Sequence, residues 1–259
     1  MKLLSWNVNS VKAREERFFL ALARHQPDVL CLQETKVPDG AFPTAKLLTL
    51  GYHAALNGQK AYNGVALLSK TPIEDVRIGF ADGADDPQAR YVSGLVQGVR
   101  IASVYVPNGS TVDSDKWQYK MAWLKRFESY LAANHQPDEP LLLCGDFNIA
   151  PDERDVARPF EWEHTVLYHP EARAALQSLM RFGLVDVFRK VREEGGLYSW
   201  WDYRNLGFQR ANGLRIDLVL GTSVIAERAR AASIDRDERY PKAHPTPPSD
   251  HAPVIVELA

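Results

Sequence analysis

Acidic and amide side chains recur where the apolar runs of this sequence end. Six of them stand at or near such ends: Asn7, Glu34, Asp146, Asn148, Asp217 and Asp250. A single Asn or Asp at such a point is typical of a turn, because these side chains bond their own backbone. Glu34 has no such preference, and it directly follows the apolar run 28–33. Because strand ends meet at one rim of a sheet, the set predicts a shared polar site.

The ligand atoms of this set favour a hard divalent cation. Asn7, Glu34 and Asp250 offer oxygen ligands, which suit Mg²⁺ or Mn²⁺ better than zinc. Cys31 and Cys144 each lie alone in an apolar run and match no zinc or redox spacing. The sequence therefore predicts a magnesium or manganese site, together with two buried, reduced thiols.

A histidine directly before the last apolar run adds a second kind of chemistry. On its own, His251 is more typical of a structural or exposed histidine than of a catalytic one. Asp217, however, lies inside the apolar run 214–220, where a carboxylate needs a partner. A buried aspartate fixes the tautomer of an imidazole and stabilises its cation. We therefore expect Asp217 to hold His251. Tyr105, at the end of another run, is by itself more typical of a core or interface tyrosine.

The elements that must position these residues are short strands and amphipathic helices. Apolar runs bounded by Gly, Pro, Asn or Asp predict strands at residues 2–8, 28–33, 64–69, 99–106, 141–147, 214–220 and 253–258. Several are apolar at consecutive positions, which is typical of strands covered on both faces. Helices are predicted at 11–25, 114–134 and 170–182, and a loop at 203–213. The pattern favours an α/β fold with two packed sheets flanked by helices.

Length and composition fit one globular domain. The 259 residues are 45% hydrophobic and 25% charged, which excludes a disordered or fibrous class. Without a repeat, low-complexity tract or linker, residues 1–259 are expected to form a single domain. No run has the length of a signal peptide or a membrane span, which predicts a cytoplasmic protein without a membrane partner. The net charge of −2 means that any nucleic-acid site must be local.

Nine segments resemble, in order, the successive motifs of the exonuclease III family of DNA repair nucleases. They are WNVNS, LQETK, GQKAYNGVALLSK, YVPNG, GDFNIAP, GLVDVFR, WWDYR, GLRIDLVL and PSDHAPV. The resemblance covers essentially the whole chain. It implies the endonuclease/exonuclease/phosphatase superfamily, whose fold is a four-layer α/β sandwich with two packed mixed β-sheets flanked by helices. A fold alone does not select a substrate.

The resemblance implies a metal-dependent phosphodiesterase and assigns metal ligands. Glu34 and Asn7 would hold the principal Mg²⁺ or Mn²⁺, with Asp250 nearby, directly or through water. Asp146 and Asn148 would orient and activate the attacking water, with or without a second metal. The number of metal ions stays open.

Further roles follow for the residues that would contact the phosphate. His251, positioned by Asp217, would donate hydrogen bonds to the phosphate oxygens. Tyr105 and Asn108 would contact the phosphate or assist the leaving oxygen. Either Asp146 or Tyr105 would transfer the proton, and the sequence does not separate them.

The family acts on double-stranded DNA at abasic sites and 3′ ends, and we expect a monomer. The extrahelical sugar would enter a pocket formed by Trp200, Leu214 and Ile216, although the two aliphatic residues suit a core role equally well. Phosphate contacts would come from basic residues that flank the motifs, namely Lys36, Lys60, Arg90, Lys116, Arg204 and Arg210.

One position departs from the family pattern. Leu167 stands where the family often has a small residue, in a segment predicted to be a surface loop and so a poor place for core packing. Its bulk would occupy space needed opposite an internal abasic site, which favours processing of 3′ ends. The alternative is that Leu167 packs beneath the loop.

Two other classes of function share part of the pattern. Superfamily enzymes that act on RNA tails, inositol phosphates or sphingolipid head groups would keep Asn7, Glu34, Asp146 and His251, but the segment from WWDYR to LRIDLVL argues against them. A nucleic-acid-binding module without turnover is disfavoured because the polar set is intact. A Mg²⁺-dependent nuclease assay separates binding from turnover.

Overall fold

Two six-stranded mixed sheets form the centre of the computed structural model, which describes residues 1–241 and 246–259. Sheet A has the order β11-β12-β1-β2-β4-β3 and contains β1 (Lys2–Asn7), β2 (Val29–Gln33), β3 (His53–Asn57), β4 (Val65–Ser69), β11 (Ala229–Ile234) and β12 (Val254–Leu258). Sheet B has the order β5-β6-β7-β8-β10-β9 and contains β5 (Glu74–Ile78), β6 (Tyr91–Val96), β7 (Val99–Tyr105), β8 (Leu141–Asp146), β9 (Leu184–Asp186) and β10 (Asp217–Thr222).

Helices cover the outer face of each sheet. On sheet A these are α1 (Glu15–His25) and α2 (Thr44–Thr49), and on sheet B they are α3 (Asp115–Asn134) and α5 (Pro170–Met180). The shorter helices are α4 (Pro159–Trp162), α6 (Val187–Val191) and α7 (Ser223–Ala226), with 3-10 turns at Asp39–Ala41, Glu153–Asp155, Arg204–Leu206 and Arg236–Arg239. The layers run helix, sheet, sheet, helix, which confirms the predicted four-layer α/β sandwich.

The core between the sheets explains why several strands are apolar at consecutive positions. β2 and β4 are buried along their whole length, because one face meets the helices and the other meets sheet B. Cys31 and Cys144 both lie in the layer between the sheets, and both are buried as predicted.

All seven predicted strands are present, and the start of one of them differs clearly from the prediction. β10 begins at Asp217 rather than at Leu214, because Leu214 forms only isolated bridges, with Val156 and Trp200. The strands β3, β5, β6, β9 and β11 were not predicted. β5 and β11 lie at sheet edges with exposed, charged side chains, and β9 has only three residues, so their sequences lack an apolar run.

The sheet topology explains why distant polar residues meet. β1 is parallel to β2, and β7 is parallel to β8, so each pair ends at the same rim. The antiparallel strands β12 and β10 begin where β1 and β8 end. In sheet B, Asp146 therefore lies directly between Tyr105 and Asp217. Within the described part of the chain, no helix combines the length and apolarity needed to cross a membrane.

Candidate active site

The carboxamide of Asn7 joins the two sheets at this rim. Its Nδ2 donates to Glu34 Oε1 at 2.8 Å and to Asp146 Oδ2 at 2.9 Å. Its Oδ1 accepts from the backbone N–H of Asn9 at 3.0 Å. Asn7 therefore presents its nitrogen to the two carboxylates, and it acts here as a donor that holds them together. Glu34 has a left-handed φ of 50°, a strained conformation of the kind that collects at functional sites.

Glu34, Asp146 and His251 form a group that could hold a metal ion. Their candidate ligand atoms all lie within 4.8 Å of one another. Burial raises the pKa of Asp146 to about 7; the charge of His251 lowers this pKa and the charge of Asp217 raises it. A buried carboxylate beside a second carboxylate is stabilised by a nearby cation. The oxygen donors of Glu34 and Asp146 therefore fit a divalent cation of the Mg²⁺ or Mn²⁺ kind.

Asp250 is engaged elsewhere and does not belong to this group. Its Oδ2 accepts from Trp200 Nε1 at 3.0 Å, and its Oδ1 accepts from Asn9 Nδ2 at 2.9 Å. Asn9 Oδ1 in turn accepts from Lys36 Nζ at 2.5 Å, and the same ammonium lies 2.8 Å from Glu34 Oε2. A chain of polar contacts therefore runs from Trp200 through Asp250 to Glu34.

The predicted pair of Asp217 and His251 is present. His251 Nδ1 lies 2.9 Å and 3.1 Å from the two carboxylate oxygens of Asp217. Ser199 Oγ donates to Asp217 Oδ2 at 2.6 Å and so fixes the carboxylate in turn. His251 Nε2 points to the other side, 3.6 Å from Asp146 Oδ2. Burial lowers the pKa of His251, but the charges of Asp217 and Asp146 outweigh burial and raise it to about 10. The imidazole is therefore cationic at neutral pH.

Two asparagines extend the site beyond Asp146. The backbone N–H of Asn148 donates to Asp146 Oδ1 at 2.9 Å, and its Oδ1 accepts from Asn108 Nδ2 at 2.8 Å. Tyr105 is buried beside them, with the Arg90 guanidinium 4.6 Å from its ring centroid. Burial and the charges of Glu34 and Asp146 raise the pKa of Tyr105 well above its ordinary value. Tyr105 is therefore protonated at neutral pH and suited to donate a hydrogen bond.

A pocket of about 310 Å³ opens beside this centre, and Trp162, Leu167, Trp200 and Asn108 help to line it. The rings of Trp162 and Trp200 meet edge to face, with centroids 5.7 Å apart. Leu214 and Ile216, predicted as pocket residues, are fully buried and do not line it. They belong to the core behind Trp200.

The structure corrects the expectation for Leu167. Its side chain lines the pocket but is only 4% exposed, and it belongs to the core between sheet B and its helices. The segment is a turn, as predicted, but it lies against α3 and α5. Leu167 therefore packs into the core and borders the pocket at the same time.

The predicted phosphate-binding cations divide into two groups. Arg90 is buried and donates to Gln88 at 2.7 Å and 2.9 Å, and Lys36 is held by Asn9 and Glu34. Four others are exposed: Lys60, Lys116, Arg204 and Arg210. Of these, Arg204 lines the pocket, and Lys116 lines a neighbouring hollow that contains Tyr105.

With this geometry in place, residues 4–251 match the model of the Endonuclease/Exonuclease/phosphatase family. The chain belongs to this family. Among family members, exodeoxyribonuclease III of Haemophilus influenzae is 36% identical over 270 residues, covering 100% of both chains.

Two solved structures are similar over nearly the whole length of this family member. One is an AP endonuclease from Archaeoglobus fulgidus, with a TM-score of 0.93 and 36% identity, covering 100% of this chain and 99% of that one. The other is a 3′ phosphatase from Neisseria bound to a product DNA hairpin, with a TM-score of 0.93 and 39% identity over the same shares.

Sequence reasoning missed several residues of this family member's site. Ser199, Asn9 and Trp162 have ordinary loop sequences, and only their hydrogen bonds and ring contacts reveal them. Lys120 did carry a signal: it stands three residues after Trp117, on the helix face that should be apolar. In the structure Lys120 is fully buried, and burial lowers its pKa to about 7 while Asp146 acts in the opposite direction.

Proposed function

We propose that this family member is a divalent-metal-dependent DNA nuclease that hydrolyses the backbone at 3′ ends or abasic sites. The observation that carries the proposal is the group of Glu34, Asp146 and His251, joined across both sheets by Asn7 and placed beside an aromatic pocket. The exodeoxyribonuclease III relative and the DNA-bound 3′ phosphatase neighbour support DNA as the substrate. They favour it over RNA tails, inositol phosphates or lipid head groups.

Glu34 and Asp146 would hold Mg²⁺ or Mn²⁺, and the bound ion would neutralise charge on the scissile phosphate. Asn7 would hold both carboxylates in position through its Nδ2. Asp250, whose two oxygens accept from Trp200 and Asn9, would add negative charge near the metal without binding it directly. This assignment differs from the ligand set expected from the sequence in two ways: Asn7 holds the carboxylates instead of the ion, and Asp250 does not bind the ion directly.

The protein's own groups can account for the proton and charge movements. Hydrolysis forms a bond from water oxygen to phosphorus and breaks the bond from phosphorus to the leaving oxygen. Asp146, held by Asn7 and Asn148, would accept the proton of the attacking water. The cationic His251 would donate from Nε2 to a phosphate oxygen as its charge grows. Tyr105 would donate a hydrogen bond to the leaving oxygen, which would take up its proton from water, and Tyr105 would not accept the proton of the attacking water.

The pocket would receive the 3′-terminal sugar or an extruded abasic sugar. Trp200 and Trp162 offer two perpendicular aromatic walls, which select by size and stacking. Arg204 and Lys116, both exposed near the pocket, would contact phosphates. We expect 3′ ends to be preferred because Leu167 and Trp162 narrow the pocket. The enzyme would act as a single domain and a monomer.

The test is a panel of matched duplexes incubated with the purified protein, with Mg²⁺ and with excess chelator. The duplexes carry a 3′-phosphate, a recessed 3′-hydroxyl end or an internal abasic site, and a 3′-phosphorylated RNA duplex and an inositol phosphate serve as controls. We expect Mg²⁺-dependent hydrolysis of DNA, fastest at 3′ ends, and little turnover of the controls. Hydrolysis of RNA or inositol phosphate without hydrolysis of DNA would overturn the proposal.

A further inference from the structure

A fully buried lysine lies directly beneath the loops of the proposed active site. Lys120 has 0% exposure and stands on the inner face of α3, between Trp117 and Leu124. Burying an ammonium group is costly unless its hydrogen bonds are replaced. Helix formation and core packing require no charge at this position, because Trp117 and Leu124 already provide the apolar contacts. The presence of a lysine at this position must therefore be explained by the atoms that its Nζ contacts.

Lys120 Nζ donates to three backbone carbonyls. The acceptors are Val166 O at 2.7 Å, Asn148 O at 2.7 Å and Asn108 O at 3.2 Å. Three acceptors match the three N–H bonds of an ammonium group. The acceptors lie in three separate segments: one follows β7, one follows β8, and one precedes α5. One side chain therefore ties together three loops that are far apart in sequence.

Each of these loops carries a residue of the proposed site. Asn108 and Asn148 bond each other at 2.8 Å, Asn148 also donates to Asp146, and Val166 precedes the pocket residue Leu167. We infer that Lys120 is a positioning residue for hydrolysis, setting the distance between the pocket and Asp146. This inference rests on the proposed function and names a residue that supports it without touching the substrate.

A close approach of the backbone supports the same conclusion. Gly109 has a left-handed φ of 94°, and a Cβ there would lie 3.0 Å from the Cδ of Lys120. The loop after β7 therefore runs directly over the lysine stem, and a Cβ at this point would press on it. Glycine at this point lets Asn108 reach the ammonium.

The test compares Lys120→Met with Arg100→Met. Arg100 is a matched control because it is also buried and donates to a backbone carbonyl, Asp75 O at 2.7 Å, but it lies at the other end of β7. For each variant, kcat and KM for 3′-phosphate removal, the melting temperature and the affinity of the metal-free protein for Mn²⁺ are measured. The Mn²⁺ affinity reports on Glu34 and Asp146, whereas Lys120 Nζ donates to backbone carbonyls and to neither carboxylate.

We expect Lys120→Met to lower kcat by about 100-fold, because a shift of about 1 Å in a catalytic group has an effect of that order. The affinity for Mn²⁺ should stay within about threefold, since its carboxylates are held by Asn7. Arg100→Met should lower the melting temperature while leaving kcat nearly unchanged. The inference would be overturned if Lys120→Met and Arg100→Met had the same melting temperature and lost the same fraction of kcat. It would also be overturned if Lys120→Met lost no kcat.

If Lys120→Met does not fold, Gly109→Ala takes its place. The added methyl group presses on the lysine stem from outside the core, and it should lower kcat by about tenfold with a smaller change in melting temperature. Unchanged kcat in this variant would also overturn the inference. Absence of DNA hydrolysis by the wild-type protein would instead remove the proposed function itself, so the two failures are distinguishable.

Discussion

At the scale of single residues, the carboxamide of Asn7 holds the carboxylates of Glu34 and Asp146 together at the rim that both sheets share. Asn7, Glu34 and Asp146 do converge, because polar residues at strand ends share a rim. The sequence does not predict that Asn7 turns its nitrogen to the carboxylates, or that Asp250 is bound by Trp200. Both depend on local hydrogen bonds between loops, for which apolar periodicity gives no signal.

The charge state of His251 is testable in the metal-free protein. Its pKa is raised to about 10 from an ordinary value of 6.5, so its ring protons in NMR should show a cation at pH 8. The folded state binds the extra proton, so this contribution to stability is full below pH 6.5 and is lost as the pH rises through about 10. Asp217→Asn should lower the pKa. A neutral ring at pH 8 in the wild type would contradict the assignment.

The pairing of Asp217 with His251 predicts a non-additive double variant. Asp217 lies 2.9 Å from His251 Nδ1 and acts through that imidazole, so His251→Ala should remove most of what Asp217 contributes. Turnover of one 3′-end substrate is measured for Asp217→Ala, His251→Ala and the double variant. We expect the double variant to resemble His251→Ala. Losses that multiply would mean that the two residues work independently.

At the scale of elements, prediction succeeds where an uninterrupted apolar run is buried, and it fails for exposed edge strands and for the buried strand β6, whose run is interrupted by Ser93 and Gly94. β2, β4 and β8 are buried throughout, and all three are predicted from sequence. β5 is an exposed edge strand, which leaves no apolar run to recognise. For α3, apolar spacing predicts the helix but not the buried charge of Lys120, whose partners are backbone carbonyls.

Leu167 should matter for both stability and substrate choice, since it packs in the core and borders the pocket. Leu167→Ala should lower the free energy of unfolding by about 2–5 kcal/mol, as is usual for a buried leucine. It should also raise incision at an internal abasic site relative to 3′-phosphate removal. Leu176→Ala is the control, because Leu176 is buried in the same cluster but does not line the pocket. If Leu167→Ala and Leu176→Ala showed the same ratio of abasic-site incision to 3′-phosphate removal, Leu167 would have only a packing role.

At the scale of the whole molecule, a net charge of −2 means that DNA binding must depend on a few local cations. Lys116, at the start of α3, lines the hollow that contains Tyr105. Lys116→Ala should reduce the slope of log affinity against log salt by about 0.9, the effect of one lost phosphate contact. Lys125→Ala, an exposed lysine on the same helix that lines a different hollow, should leave the slope unchanged. If Lys116→Ala and Lys125→Ala changed the salt slope equally, the effect would come from the general surface charge and not from a specific phosphate contact at Lys116.

The family fold brings the rims of the two sheets together and places the carboxylates of Glu34 and Asp146 where they could hold a cation. The two sheets flanked by helices were predictable because seven of the strands leave apolar runs in the sequence and the longer helices leave a periodic apolar pattern. The site was predictable only as a set of residue types, because the loops that orient them have no such pattern. The central claim is that Glu34 is part of a divalent-cation site on which hydrolysis depends.

The most direct measurement is turnover of a duplex with a 3′-phosphate as Mg²⁺ is titrated, for the wild type and for Glu34→Gln. Glutamine keeps the size and the hydrogen-bonding capacity of the side chain but removes its charge. We expect wild-type turnover to vanish with chelator, and Glu34→Gln to lose at least about 100-fold at saturating Mg²⁺, with a metal-free melting temperature close to that of the wild type. Undiminished hydrolysis after complete chelation, or full activity of Glu34→Gln, would contradict the account.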